Sequence, residues 1–224
     1  MKLGIISDVH ADLPSLIAAL ELLTKRGADR IICAGDLVER GPDGEAVVQT
    51  FKSREIPSVR GNHDLAVIAN QRWLREAFYA GDPRVTSRLL TEEALQYLHE
   101  LPPTMNLVLG DEGSEEQTHL VVAHGIPSSD AVYLYTHSNR RAFNNAINDA
   151  RDIDPQVRVL ILGHTHQPMI AHVGDIYVIN PGSVCGVHTQ GSSSCGLLTL
   201  PEFRFEVFDL VTGMRIVAPM IEPN

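Results

Sequence analysis

The sequence predicts an α/β (α+β) protein of four layers, in which two packed mixed β-sheets are flanked by helices. Three observations favour this fold class. The first half of the chain alternates short apolar runs with amphipathic helical segments, the second half is rich in short strands separated by turns, and 44% of the 224 residues are hydrophobic with no low-complexity tract. A chain of this length can bury one core, so one domain over residues 1–224 is expected.

The first half of the chain has the pattern of a βαβαβ unit. Asp12 is suited to cap a helix, Pro14 is tolerated in the first turn that follows, and Gly27 ends the helix. The apolar residues of this helix share one face: Leu13, Leu16, Ile17, Leu20 and Leu23. Parallel pairing is expected for the strands of such a unit. The predicted elements are a strand at 2–7, this helix, a strand at 29–34, a helix at 43–52 and a strand at 56–60.

The alternation of strands and helices ends after a helical stretch at 65–100, whose role the sequence leaves open. Thr91 suits the start of the last helix in this stretch. The acidic, glycine-containing loop at 110–117 indicates that the strands on either side form an antiparallel hairpin. The remaining predicted elements are strands at 104–109 and 118–123, a helix at 139–150, and strands at 157–162, 169–173, 176–179, 195–200 and 203–210.

Composition and charge argue against several classes of function. The formal net charge of −10 gives no basic face with which to grip a nucleic-acid polymer. No apolar run approaches the roughly 18 residues that a membrane-spanning helix needs, so no membrane partner is expected. The first predicted strand begins almost at Met1 and leaves no room for a signal segment, so a cytoplasmic location is expected. In that reducing compartment Cys33, Cys185 and Cys195 are expected to remain thiols.

Five apolar runs of the chain end on side chains that commonly bind metals. Because ligands gather at the carboxyl ends of strands in open α/β sheets, we expect these distant residues to converge. Two runs end on pairs spaced by two residues, and a continuing strand would direct both members of such a pair to the same side. The polar residues at the five ends are Asp8 and His10, Asp36, Asn62 with His63 and Asp64, His124, and His164 with His166.

Each of these motifs alone also fits a position without chemistry. An isolated Asp-x-His is most often a polar strand end, and a lone aspartate after a strand is usually a helix cap or a turn residue. A lone histidine in such a place is usually hydrogen-bonded and structural. Five coincidences would be needed to explain every strand end in this way, whereas one convergent site explains them together. The joint occurrence therefore indicates a metal site.

As a set, the motifs resemble those of the calcineurin-like metallophosphoesterases. The series Asp-x-His, Gly-Asp, Gly-Asn-His-Asp, His and Gly-His-x-His occurs complete and in order from Asp8 to His166, and residues 180–184 look like the small bacterial and archaeal phosphodiesterase branch. The resemblance implies a metallophosphoesterase-like fold with two divalent metal ions. It implies one ion held by Asp8, His10 and His166, a second held by Asn62, His124 and His164, and Asp36 bridging the two. The absence of thiolate ligands favours manganese, with iron, zinc, cobalt or nickel as alternatives.

The resemblance also implies roles for residues that do not bind metal. Two adjacent ions would share a hydroxide that attacks phosphorus, and His63 would protonate the leaving alkoxide. Asp64 would orient His63 by accepting its other ring N–H. Arg40 falls in a segment that looks like the source of the phosphate-binding arginine in serine/threonine phosphatases, and a solvated loop arginine remains the alternative. Apart from the resemblance, the loop residues His137 and His188 could border the substrate, and Tyr133, Tyr135 and Trp73 could cover one nucleobase.

The predicted activity is hydrolysis of a phosphodiester or nucleotide-like small molecule by a dinuclear metal centre with a bridging hydroxide nucleophile. The Arg40 segment also suggests a protein serine/threonine phosphatase, and a dinucleoside polyphosphate hydrolase remains open. A non-enzymatic alternative is a protein-binding scaffold of the same fold. Such a scaffold would be expected to lack metal ligands or His63, and here none is missing. A small phosphoester substrate is the partner predicted, and the sequence leaves the oligomeric state open.

Overall fold

The computed structural model describes residues 1–82, 85, 88–110, 117–186 and 190–223. Within these residues the chain forms five α-helices and eleven β-strands. The helices are α1 (Leu13–Lys25), α2 (Gly44–Ser53), α3 (Asn62–Tyr79), α4 (Glu92–Glu100) and α5 (Arg140–Ile153). The strands are β1 (Lys2–Ile6), β2 (Arg30–Cys33), β3 (Thr104–Leu109), β4 (Thr118–Ala123), β5 (Val157–Ile161), β6 (Pro168–Val173), β7 (Ile176–Pro181), β8 (Ser194–Thr199), β9 (Arg204–Asp209), β10 (Arg215–Ile216) and β11 (Met220–Ile221).

The strands form two mixed sheets, as predicted. Sheet 1 has the strand order β10-β9-β8-β1-β2, in which β1 and β2 are parallel and the other pairs are antiparallel. Sheet 2 has the order β11-β6-β7-β5-β4-β3, with β4, β5 and β7 parallel to one another. The predicted hairpin of β3 and β4 is antiparallel, and residues 111–116 of its loop lie outside the described residues. Both sheets therefore contain a parallel pair whose carboxyl ends can carry a site.

Three buried apolar clusters separate four layers of secondary structure. One cluster packs α1 to α4 against the outer face of sheet 1, and another packs α5 against the outer face of sheet 2 through Phe143. The third fills the space between the sheets. Alternation along β4 connects two of these clusters, because Val122 points between the sheets while Val121 points towards α5. Burial of each such side chain contributes about 1.5–3 kcal/mol, so the layers are held by many similar contacts.

The helix that follows β1 forms where the sequence predicts it. The Asp12 side chain accepts a hydrogen bond from the backbone N–H of Ser15 at 3.0 Å, and Pro14 lies in the first turn. The chain leaves the helix at Gly27, whose φ is +82°. The buried face consists of Leu16, Ala19, Leu20 and Leu23. This cap fixes the point at which the loop after β1 turns back over sheet 1.

The predictions were wrong for the segment at 56–60 and silent on the last two strands. Only a single parallel bridge, between Cys33 and Ser58, forms in that segment. Pro57 has no N–H to donate, and the N–H of Arg60 bonds to the carbonyl of Pro102 at 2.8 Å instead of to a neighbouring strand. Strands β10 and β11 have two residues each, too few to show periodicity, and they join the C-terminal segment to an edge of each sheet.

The remaining composition-based expectations concern the thiols and the membrane. All three cysteines are buried and none forms a disulfide, as predicted. Within the residues that the structure describes, none of the helices has both the length and the apolar character that crossing a membrane requires.

Gly61 allows the loop after β2 to approach the start of α3 closely. A Cβ atom on Gly61 would lie 2.1 Å from Asp36 Oδ1 and 2.5 Å from the Asp36 backbone nitrogen. That carboxylate oxygen is already fixed, because it accepts a hydrogen bond from the His63 backbone N–H at 2.8 Å. A larger residue would therefore push the two segments apart.

We expect Gly61→Ala to lower the free energy of unfolding by roughly 3 kcal/mol, because overpacking beside fixed backbone is costly. Gly81→Ala is the control: its Cβ would meet nothing within 4 Å, and only its left-handed backbone should cost about 1–2 kcal/mol. Urea denaturation of both variants gives the comparison. A loss at Gly61 no larger than the loss at Gly81 would contradict the close approach.

Candidate metal centre

The candidate ligands lie at one edge of the two sheets, in the loops that follow parallel strands. Asp8 and His10 follow β1, Asp36 follows β2, and His124 follows β4. His164 and His166 follow β5, and Asn62 is the first residue of α3. The convergence expected from the sequence is therefore present in the structure, with sheet 1 and sheet 2 each contributing one parallel pair of strands.

Six of these residues form two buried groups with the composition of metal sites. In each group one ligand atom per residue lies within 4.8 Å of the others. The first group consists of Asp8, His10 and His166, and the second of Asp36, His124 and His164.

The distances within the first group fit coordination of one ion. His166 Nε2 lies 3.1 Å from His10 Nε2 and 3.1 Å from Asp8 Oδ1. Ligand nitrogens about 2.0–2.1 Å from a common ion are separated by about 3.0–3.4 Å at the usual coordination angles. The three atoms are therefore spaced as ligands of one cation would be.

The second group adjoins the first through Asp36. Asp36 Oδ2 lies 3.1 Å from His124 Nε2 in its own group and 3.8 Å from His10 Nε2 in the first. His164 Nδ1 completes the second group at 3.2 Å from His124 Nε2. Asp36 therefore lies within 4 Å of a histidine in each group, as the resemblance implies, although Asp8 Oδ1 also does so, at 3.8 Å from His10 Nε2 and 3.9 Å from His124 Nε2.

Buried polar atoms without a hydrogen-bond partner are concentrated in this site. In the described part of the chain seven such side-chain atoms occur, and five belong to candidate ligands. An unpaired buried polar group costs about 1–3 kcal/mol, so the three oxygens among the five call for a partner such as a cation, whereas the two ring nitrogens are those turned away from the groups. The five are Asp8 Oδ1, His10 Nδ1, Asp36 Oδ2, Asn62 Oδ1 and His164 Nε2. The three oxygens therefore fit divalent ions, and Asn62 Oδ1 is one of them.

The candidate ligands sit in sharp turns rather than on continuing strands. Positive φ angles occur at Asp8 (55°), His10 (49°), Asp36 (55°), His164 (66°) and His166 (57°). Non-glycine residues seldom adopt this conformation, and its cost is typical of functional sites. Asp8 and His10 do lie in one group, but the prediction that a continuing strand aligns them was wrong. Strand β1 ends at Ile6, and the turn after it places both side chains in the group.

Outer hydrogen bonds fix the orientation of the ligands. His124 Nδ1 donates to the carbonyl of Ala34 at 2.8 Å, and His166 Nδ1 donates to the carbonyl of Gln190 at 3.0 Å. Ser7 Oγ donates to Asp8 Oδ2 at 2.6 Å, which leaves Oδ1 to face the first group. Such bonds to the far atom of a ligand are the usual support of a metal site.

Burial and neighbouring charges shift the pKa values of the site's histidines in opposite directions. Burial lowers the pKa of His10 to about 4, and burial together with the charge of His124 lowers the pKa of His164 to about 4. Burial also disfavours the charged form of His124, but Asp36 and Asp8 outweigh it and raise its pKa to about 10. Two rings are thus neutral at pH 7 and can offer a lone pair, and the carboxylates hold a positive charge that a cation would replace.

His63 belongs to neither group and points towards Glu39 and Arg40. Its Nδ1 bonds to the Glu39 carboxylate, and its Nε2 lies 2.9 Å from an Arg40 terminal nitrogen. The ring also meets the His10 ring edge to face, with centroids 4.9 Å apart. Arg88 forms an ion pair with the same Glu39 carboxylate. Glu39 is thus the carboxylate that orients His63.

The prediction that Asp64 orients His63 is corrected by the structure. Asp64 Oδ1 accepts the N–H groups of Leu37 and Val38 at 2.9 and 3.2 Å, and Oδ2 accepts that of Gly61 at 2.9 Å. Residues 62–79 are helical, so Asp64 lies in the first turn and caps α3. Burial, followed by the charge of Asp36, raises the pKa of Asp64 to about 7. The contact of Glu39 with His63 was missed because it spans 24 residues and depends on the loop after β2.

An open cleft of about 610 Å³ gives access to the centre. Asp36, His164 and His166 lie at its base, and Arg40 is exposed beside His63, where a clamp on substrate would be required. Tyr133 and Tyr135 form part of its wall, whereas His137 stacks on Tyr135. Trp73 lies on α3 and is not among the described residues that line the cleft, and His188 is outside the described residues.

Comparisons with known proteins agree with this geometry. A family model described as the calcineurin-like phosphoesterase superfamily domain matches residues 1–202. The chain is 26% identical to the phosphodiesterase YfcE of Escherichia coli, over 88% of this chain and 87% of that protein. It is also 26% identical to the phosphodiesterase MJ0936 of Methanocaldococcus jannaschii, over 88% and 92% of the two chains.

A solved structure extends the likeness to three dimensions. The metallophosphoesterase of Sphaerobacter thermophilus has a TM-score of 0.65 with this chain at 26% identity, covering 98% of this chain and 90% of that one. The family model, the two phosphodiesterases and this structure all match nearly the whole length of the chain. The chain therefore belongs to the calcineurin-like phosphoesterase superfamily.

Proposed function

We propose that this protein hydrolyses small phosphodiesters at a centre that holds two divalent metal ions, manganese first among the candidates. The observation that carries the proposal is the pair of adjoining buried groups that share Asp36 at the base of an open cleft. The first group and the second group, with Asn62 added to the second, supply the ligands. When bound, two such ions supply positive charge for the phosphate oxygens and lower the pKa of an attacking water.

His63 is the proposed general acid. Asn62 and His63 are neighbours in the first turn of α3, and successive helical residues point about 100° apart. His63 lines the cleft, and Asn62, whose Oδ1 is buried without a hydrogen-bond partner, points in a different direction. With Nδ1–H donated to Glu39, the ring presents Nε2 to the cleft, and an Nε2 that has taken up a proton from solvent can pass it to a leaving alkoxide.

Arg40 is the proposed clamp for the phosphate. Its guanidinium lies 2.9 Å from His63 Nε2 and is exposed to the cleft. A phosphate offers the planar fork of arginine two charged oxygens, a stronger partner than a neutral imidazole nitrogen. Binding of the phosphate would therefore draw Arg40 from His63, so that Nε2 can take up from solvent the proton that it passes to the leaving group.

Three other functions are alternatives to the phosphodiesterase, and the substrate comparison below tests them. A protein serine/threonine phosphatase is favoured by Arg40 beside the cleft, and a dinucleoside polyphosphate hydrolase would use the same groups. A catalytically silent scaffold is disfavoured, because the candidate ligands and His63 are all present in the sequence and six of the ligands form two buried groups.

Matched substrates separate these activities. We expect kcat/KM for a methyl phosphodiester to exceed that for the corresponding monoester, and a phosphoserine peptide and a dinucleoside polyphosphate to be poorer substrates still. A preference for monoesters would contradict the phosphodiesterase assignment. No hydrolysis of any of the four by metal-loaded protein would favour the scaffold.

Loss of Asp36 should impair both metal sites together. We expect protein dialysed against Mn²⁺ to retain about two ions per chain and EDTA to abolish hydrolysis. Asp36→Asn keeps the size of the side chain but removes the charge that both groups share, so the affinity for both ions should fall at least about tenfold. Elemental analysis measures the metal content of each variant. The control is Asp175→Asn, an exposed carboxylate paired with Arg151 and Arg158. Wild-type metal content in Asp36→Asn would contradict the shared site.

Substitutions around His63 should separate catalysis from folding. His63→Ala is expected to lower kcat by roughly 10² to 10⁴ with unchanged metal content, and Glu39→Gln by a smaller factor because the ring is only misoriented. Asp64→Asn should instead lower the free energy of unfolding, by about 1–3 kcal/mol, since it caps α3. His99→Ala, in an exposed position of α4, is the control. Loss of metal from His63→Ala would make His63 a ligand, and unchanged turnover would remove its proposed role.

A further inference from the structure

Four rings form a continuous stack along one wall of the cleft. The Tyr133 ring lies on the ring of His164, with centroids 3.8 Å apart and planes inclined by 23°. Tyr135 follows at 5.5 Å with its plane only 3° from that of Tyr133, and His137 follows Tyr135 at 5.1 Å and 10°. The stack therefore begins on a candidate ligand of the second metal group and runs outwards from it.

The stack is anchored by the segment between β4 and α5. Tyr133 and Tyr135 are two residues apart and their parallel rings share one side, and His137 lies in the turn that follows at residues 136 and 137. Leu134 points to the other side and is buried in the cluster beneath α5, with 3% of its surface exposed. Ser138 closes the segment, since its Oγ accepts the N–H of Tyr135 and its N–H donates to the Tyr135 carbonyl, each at 3.0 Å. The two tyrosines are thus presented by a fixed backbone.

Part of each tyrosine face stays open to the cleft. Parallel rings in full face-to-face contact have centroids closer than 5.5 Å, so Tyr133 and Tyr135 do not cover one another completely. Tyr133 remains 52% exposed, and both tyrosines line the cleft with Gln167 and Gln190. Exposed aromatic surface beside amide groups suits a planar ring with polar edges.

We propose that Tyr133 and Tyr135 form a stacking subsite for a nucleobase carried by the phosphoester, which makes a nucleotide the substrate class. This inference rests on the proposed function, since the position of the phosphate near Asp36 and Arg40 determines what can reach the stack. Bases stack on aromatic side chains without regard to sequence. The net charge of −10 disfavours a long polyanion, so the ligand is a single nucleotide or a short ester of one.

Binding of two phosphates that differ only in the base tests the subsite. Calorimetric titration of the Mn²⁺-loaded protein should give adenosine 5′-monophosphate about tenfold tighter binding than ribose 5-phosphate. In Tyr135→Leu this ratio should fall towards one, and in Tyr135→Phe, which keeps the ring, it should be restored. Tyr135 is chosen because, unlike Tyr133, it does not stack on His164. Tyr79→Leu, at a tyrosine on α3 that is 83% exposed, is the matched control and should keep the ratio.

A second pair of ligands distinguishes a nucleobase from any aromatic ring. Benzyl phosphate and cyclohexylmethyl phosphate have rings of the same size, and only the first can stack. If benzyl phosphate binds more tightly than cyclohexylmethyl phosphate and Tyr135→Leu removes the difference, the subsite stacks aromatic rings in general. If the two bind equally while adenosine 5′-monophosphate still binds more tightly than ribose 5-phosphate, the subsite also recognises the polar edge of the base. Equal affinities for the adenosine and ribose phosphates, or a ratio unchanged in Tyr135→Leu, would overturn the inference.

Hydrolysis rates of diesters with and without a base distinguish failure of the nucleobase subsite from failure of the proposed esterase activity. Hydrolysis of a methyl diester of ribose 5-phosphate as fast as that of its adenosine counterpart would overturn the subsite and leave the esterase intact. If neither diester is hydrolysed but the protein still binds adenosine 5′-monophosphate more tightly than ribose 5-phosphate, the proposed esterase activity is wrong and the proposed nucleobase subsite stands.

Discussion

The Asp36 carboxylate is the point on which the geometry of the centre depends. One oxygen is fixed by the backbone N–H of His63, and the other faces His124 in one group and His10 in the other. This contact ties the end of β2 to the start of α3 and so sets the position of His63 relative to the ligands. The absence of a side chain at Gly61 is what lets the two segments meet.

The arrangement is costly for the fold and is supported by the layers around it. Five candidate ligands have left-handed backbone angles, and several buried polar atoms lack partners. Each strained residue costs about 1–3 kcal/mol, of the same order as one buried apolar side chain. Three apolar clusters on the two faces of each sheet supply many such side chains. The site can therefore be strained while the sheets that carry it are not.

The sequence was most informative where chemistry and periodicity coincide. Apolar runs ending on aspartate or histidine predicted both the buried strands and the meeting of their ends, because parallel strands place those ends at one edge. Periodicity could not report the turns beyond the strands, so the alignment of Asp8 with His10 was assigned to a strand. It also could not show that α3 begins at Asn62, and for that reason Asp64 was assigned to His63 rather than to the helix cap.

The contacts that escaped prediction are those made by loops. Glu39 reaches His63 only because the chain after β2 has positive φ angles at Glu39 and Arg40. The tyrosine stack required both the alternation around Leu134 and the position of His164 beneath it. The contact of Glu39 has no spacing in the sequence that would predict it. Tyr133, Tyr135 and His137 are spaced by two residues and could be named as candidates, but their contact with His164 depends on where two distant segments meet.

Anomalous diffraction from crystals grown with Mn²⁺ tests the central claim most directly. Two adjacent peaks are predicted, one among Asp8, His10 and His166 and one among Asn62, His124 and His164, with Asp36 in contact with both. Crystals that contain abundant Mn²⁺ yet show no peak between these side chains, or a single peak that Asp36 does not contact, would contradict the account.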